Sequence, residues 1–169
     1  MKRRLHGFVL SALLLAGTAY AAMADDDPGV WQRIDKNGIK ASNVEMGPGS
    51  VVAITCPAET TLAQPRLIIQ IQKLRNSFFD ERRSYNLRVA VNDYRQDFGM
   101  KAMKGFFVFE AKDINQRLQF NELVQELAKA SAAGADKAQL ALSSLGWRGD
   151  MPLTGADRAL PGLMDGCDQ

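Results

Sequence analysis

The sequence predicts a mainly β domain of the α+β class: an antiparallel β-sandwich or barrel with two small helices, closed by one long-range disulfide. Three observations predict it. Short segments of alternating or β-branched apolar residues recur along the chain, separated by Gly, Pro and Asn turn signals. No helical pattern alternates with these strands, so the βαβ rhythm of a parallel sheet is missing. Two cysteines, Cys56 and Cys167, lie far apart in a chain that opens like an exported one.

The elements follow in order. Lys2, Arg3 and Arg4 precede an apolar run over residues 8–16, and Ala22-Met23-Ala24 puts small residues where a signal peptidase reads them. Residues 1–24 are read as a cleaved signal peptide, with Ala21 as a second cut position, and residues 25–169 as one β-rich domain. The apolar run is too short to span a bilayer, and no later stretch is long enough, so no membrane span is expected after cleavage. Residues 30–34 read as a strand. Asn37-Gly38 marks a two-residue hairpin, since both central positions of a type I′ turn need positive φ. Residues 39–46 return antiparallel, and Gly47-Pro48-Gly49-Ser50 turns the chain into residues 51–56, a β-branched, buried strand.

Residues 57–65 read as a loop, and residues 67–72 as a strand with Leu67, Ile69 and Ile71 inward. Residues 76–84 form a charged loop carrying Phe78 and Phe79. Residues 85–91 form a half-buried strand with Leu87, Val89 and Val91 on one face, and Asn92-Asp93 starts the next turn. Residues 105–111 are an aromatic strand. Helix formers then dominate: over residues 121–131, Leu123, Val124 and Leu127 share a face. This helix either follows a short strand at 117–120 and is capped by Asn121, or starts at Asp113 with Gln116 completing a capping box. Gly134 ends it. Residues 139–143 are a strand, residues 147–152 a Gly-rich turn, and residues 155–160 a short helix stopped by Pro161-Gly162.

Composition narrows the chemistry. His6 is the only histidine and falls in the signal, which excludes Ser-His-Asp, Cys-His and most zinc sites from the rest of the chain. The signal also carries away three cations, turning the +2 of the whole chain slightly negative and removing the electrostatic case for nucleic acid. Acid pairs remain as candidates, Glu110 with Asp93, Asp97 or Asp113, without a motif around them. Met100 and Met103 offer two thioethers for Cu(I), with Met46 or Met151 as a third ligand. Flanking Lys101 and Lys104 oppose a cation, and plain packing is the simpler reading. Arg148-Gly149-Asp150 matches a tripeptide that adhesion receptors read on exposed loops, or is a Gly turn with a surface ion pair. The partner-binding candidates are Phe78, Phe79, Arg82 and Arg83, where one ring of the adjacent pair is left as an anchor if only the other is buried. Cys56 and Cys167, an even pair in an exported chain, read as a disulfide. Neither a C-x-x-C motif nor a neighbouring His argues for a redox role. No cofactor is expected.

Taken together, several residues make a layout. Trp31 opens a strand, a second strand ends in Cys56, and Val89-Ala90-Val91-Asn92-Asp93 forms a strand and turn. The helix over residues 120–130 follows. The chain closes on Leu153-Thr154-Gly155-Ala156, Ala159-Leu160, Leu163 and Cys167. This layout resembles the proteobacterial periplasmic proteins of the invasion-associated locus B type, and is similar to small periplasmic accessory proteins of type VI secretion. Pro161-Gly162 departs from the unbroken final helix of those groups. The resemblance implies a β-sandwich-like, non-enzymatic protein of the Gram-negative periplasm that binds a protein or envelope component, in virulence, secretion or envelope stress. It assigns no functional residue. Two other functions fit a small disulfide-tied exported chain: an inhibitor or immunity protein against a cell-wall hydrolase, and a Met-based periplasmic copper binder.

Overall fold

A computed structural model describes residues 28–36, 39–57, 64–74 and 77–167. Among them are nine strands: β1 (Gln32–Lys36), β2 (Ile39–Gly47), β3 (Ser50–Cys56), β4 (Arg66–Gln70), β5 (Ser84–Val91), β6 (Tyr94–Met103), β7 (Phe106–Glu110), β8 (Lys137–Leu142) and β9 (Trp147–Pro152). Two helices accompany them, α1 (Ile114–Ala132) and α2 (Ala156–Ala159). The predicted signal peptide, the Asn37-Gly38 turn itself and most of the 57–65 loop lie outside the described residues. Lys36 pairs opposite Ile39, so the connection between β1 and β2 has the two-residue length the turn signal predicts.

All neighbouring strands are antiparallel, in the order β1-β2-β3-β4-β7-β6-β5-β8-β9, and the sheet curls into a half-barrel. Period-two patterning drives this. Val52, Ile54, Leu67, Ile69, Leu87, Val89, Phe98, Met100, Phe107, Leu140 and Leu142 point to the concave side and are buried. Helix α1 lies against that side. Val52, Ile69, Leu87 and Leu140 of the sheet and Leu123 and Leu127 of the helix enclose a void of only about 10 Å³, at the lower limit for a single water, so the two layers are closely packed.

Three predicted elements are corrected. Residues 94–103, assigned no strand from sequence, form β6, at ten residues the longest strand described. Asp97 and Gly99 depress its β propensity, yet Phe98, Met100 and Ala102 alternate into the core. Residues 147–152 are strand β9 rather than a turn. Its Gly149 is there because the Trp147 ring lies on it: an added Cβ would stand 2.7 Å from that indole. Helix α1 is not small. It runs 19 residues from the Asp113 cap, which accepts from the Gln116 amide at 2.9 Å while the Gln116 side chain accepts from the Lys112 amide at 2.8 Å. Asn121 sits inside the helix. At its far end the Ala135 amide donates to Ala130 O and the Gly134 amide to Ser131 O, both at 2.9 Å, a Schellman closure.

The C-terminal residues fasten the half-barrel. The Trp31 amide donates to Thr154 O, and its indole Nε1 to Pro152 O, each at 2.8 Å. Gly155 takes φ +78°, and an added Cβ there would meet Trp31 O at 3.3 Å and Val30 Cγ1 at 3.2 Å. The Leu153-Thr154-Gly155-Ala156 sequence is thus a clasp between the first strand and the chain end. Arg33 Nη1 donates to Pro161 O at 2.6 Å and Lys40 Nζ to Asp165 O at 2.7 Å. Cys56 and Cys167 then form the predicted disulfide, with Cα atoms 5.9 Å apart, inside the usual range.

Candidate functional site

The connection from β4 to β5 creates the most distinctive surface. β5 lies three positions from β4 in the sheet, beyond β7 and β6. The chain must therefore travel on the order of 14 Å across the end of the half-barrel. Residues 77–83 make the second part of that crossing, and the adjacent phenylalanines divide the work. Phe79 turns inward and meets Tyr85 and Phe107 edge-on, at centroid distances of 5.7 and 5.1 Å. It caps the open end of the core. Phe78, on the other side of the backbone, is completely exposed, at 105% of its reference area.

Hydrogen bonds fix this loop. The Asp80 amide donates to Tyr85 Oη at 3.1 Å, and the Asp80 carboxylate accepts from the Arg82 amide at 2.9 Å, an Asx turn. The Arg83 amide donates to Asp80 O at 3.1 Å, and Lys101 Nζ donates to Arg82 O at 3.2 Å. The Arg83 guanidinium stands 5.8 Å from the Tyr85 ring centre. Phe78 is thus held out on a bound loop, which lowers the ordering cost of any contact it makes.

The same end of the sheet gathers positive charge. Pairing of Ser84 with Lys101 and of Met103 with Phe106 sets the β6–β7 turn, with Lys104 at φ 46°, beside the loop. Exposed Lys73, Arg82, Arg83, Lys101 and Lys104 outnumber the acids Glu45, Asp80 and Glu81 there. Met103, 52% exposed, adds a second apolar group. All four partner-binding candidates of the sequence, Phe78, Phe79, Arg82 and Arg83, therefore come together, with Phe79 as the support and the other three at the surface.

The remaining candidates are placed differently. Met100 is fully buried on the concave side of β6, whereas Met103 lies three residues on and faces out. Strand geometry puts the two thioethers on opposite faces, so they cannot share one ion. Met151 is buried in the core. Among the described residues, no group of three or more His, Cys, Asp and Glu is placed to hold a metal. Arg148-Gly149-Asp150 lies in β9, not on a loop, and Asp150 accepts from Lys137 Nζ across the strand pair at 2.6 Å.

Three of the four acid-pair candidates, Asp113, Asp97 and Glu110, have structural partners, and Asp93 lies exposed in the β5–β6 turn. Asp113 caps α1, and Asp97 makes a two-pronged ion pair with Arg88 at 2.8 and 2.9 Å. Hydrogen bonding from Arg88 holds the Asp97 carboxyl below its ordinary value. Burial alone would raise the Glu110 carboxyl, but the Lys112 hydrogen bond and the charges of Arg66 and Lys112 outweigh it and hold it below its ordinary value. A proton-donating acid needs the opposite shift.

Patterning missed one apolar surface. Ile114 and Leu118, one turn apart at the start of α1, are 65% and 60% exposed. Further along the helix, Asn121, Gln125 and Ala128 border a cleft of about 310 Å³ against Leu160 and Met164. The i, i+4 spacing of Ile114 and Leu118 is the signal for it, and it counts only under the Asp113 alternative for the helix start. Among the described residues no helix is long and apolar enough to cross a membrane. Compared with models of known families, with characterised proteins and with solved structures, the chain matches none.

Proposed function

We propose that this chain is an exported, non-enzymatic periplasmic protein that works by binding a protein or envelope component through the end of the half-barrel bearing Phe78. The single observation that carries the reading is the contrast within the aromatic pair. A large apolar ring left wholly in solvent on a hydrogen-bonded loop is costly to solubility and serves the fold nothing, since Phe79 alone caps the core. Neighbouring Arg82 and Arg83 supply a polar rim of the kind that surrounds binding anchors. The resemblance to the invasion-associated locus B type supports the export and the envelope role.

The test is cross-linking in cells with a photoreactive group placed at Ser77, compared between the wild-type chain and Phe78→Ala. The reading expects adducts that fade at least severalfold in Phe78→Ala while the melting temperature stays unchanged. Equal adducts in both chains would overturn the assignment to this loop. The same hydrogen-bonded loop with its exposed ring also favours a second reading, an inhibitor whose loop enters the active site of a cell-wall hydrolase. In that case the purified chain protects cells from lysis by the hydrolase and Phe78→Ala does not.

A further inference from the structure

We infer that the end of the half-barrel bearing Phe78 docks on an anionic phospholipid surface, with Phe78 entering the interface and the surrounding cations meeting the headgroups. The inference rests on the proposed binding role of this loop and names the partner.

The shape of the site argues for a bilayer over a folded protein. A specific protein interface needs roughly 800 Å² from each partner, built around a packed apolar centre. Among the described residues this end offers two exposed large apolar groups, Phe78 and Met103. A bilayer demands no matching concavity. It requires an apolar group that reaches the headgroup boundary and cations around it. Phe78 is the most exposed large apolar residue described, and Lys73, Arg82, Arg83, Lys101 and Lys104 are exposed at the same end. Among the described residues no ion pair joins any of these five cations to an acid, as is also true of Arg95, Arg148 and Arg158 elsewhere; what sets this end apart is the gathering of five exposed cations around one exposed ring. The acids here are Asp80, Glu81 and Glu45, so among the described residues five exposed cations face three acids and the end carries a net excess of two positive charges. The charge of this end is thus left to an outside anion. Each cation near such a surface is worth about fivefold in partitioning, and burying one Phe ring about tenfold.

The experiment is co-sedimentation of the full chain, in one processed form throughout, with vesicles of phosphatidylcholine alone and with about one-third phosphatidylglycerol added. Wild type should partition onto the anionic vesicles and only weakly onto the neutral ones, and high salt should reverse it. Phe78→Ala should lower partitioning about tenfold and Phe78→Trp should restore it. Arg82→Ala with Arg83→Ala should lower it roughly twenty-five-fold. Partitioning that is indifferent to lipid charge, or unchanged in Phe78→Ala, overturns the inference. If the chain ignores both vesicles while Phe78→Ala still abolishes cross-linking to a protein, the lipid assignment falls and the binding role of the loop stands. If Phe78→Ala changes neither measurement, both fall.

Discussion

Phe78 and Phe79 show how one backbone step separates two functions in identical side chains. The Phe79 ring packs edge-on against Tyr85 and Phe107, so Phe79→Ala should open a cavity at the end of the core. We expect a loss of about 2–4 kcal/mol in urea unfolding. Phe78→Ala should leave the midpoint unmoved, and equal losses for the two would mean that Phe78 also supports the fold. The ion pairs make a second prediction at this scale. The folded Asp97 and Glu110 carboxyls lie below their ordinary values of 3.8 and 4.5. A lowered carboxyl contributes stability above its unfolded-state value and loses it as pH falls through the folded one. The contribution should be constant from neutral pH down to about pH 5 and fade below about pH 4. Melting temperatures of wild type and Asp97→Asn should therefore converge in acid. A gap that stays constant to about pH 2 would show that the Arg88–Asp97 charge pair is not what separates them.

At the scale of elements, local chemistry and tertiary demand pull on the same residues with different outcomes. Helix α1 obeys local rules: Asp113 caps it, Gln116 reaches back, and Gly134 closes it. Asp113→Ala should cost about 1 kcal/mol in thermal or urea unfolding, with the helix otherwise intact. No change would mean that the Gln116 contact to Lys112 suffices. Strand β6 obeys the fold instead. Residues Tyr94–Met103 carry Asp97 and Gly99, poor strand formers, but these pair opposite Arg88 and Asn86 of β5, and Lys101–Met103 pair with β7 on the other side, so long-range pairing compensates. Propensity could not show this, because the stabilising partners are β5 before it and β7 after it. The same holds for β9, where Gly149 reads as a turn residue until the Trp147 ring is seen to occupy its missing side chain.

Across the whole molecule, the two ends of the half-barrel have different jobs. One is fastened: Trp31, Arg33 and Lys40 hold the segment from Pro152 to Asp165, and Cys56–Cys167 locks it across a sequence separation of 111. A loop of that size contributes about 4–5 kcal/mol in the chain-entropy picture. The doubly substituted Cys56→Ser, Cys167→Ser chain should lose that much in urea unfolding, and reductant should bring wild type down to it. Equal stability of the two forms would assign the closure to the Trp31 and Arg33 bonds alone. The other end is crossed by residues 77–83 and faces solvent. In that loop Phe79 closes the core, and on its solvent side the exposed Phe78 ring and the cations collect.

Legible in the sequence were the β class, seven of the nine strands described, the two-residue length of the first hairpin, the Asp113 start as one of two alternatives, and the disulfide. Each is local or pairwise: alternation fixes which face is buried, turn residues fix φ, and two cysteines have one way to pair. It also marked Phe78, Phe79, Arg82 and Arg83, because an aromatic pair in a charged loop is visible without coordinates. The folded chain settles which ring faces solvent, that Met100 and Met103 lie on opposite faces, and that Lys73, Lys101 and Lys104 join the loop. Those outcomes depend on strand order. The route from β4 past β7 and β6 to β5 is a long-range choice, made by how the apolar faces pack around α1, and no local pattern encodes it.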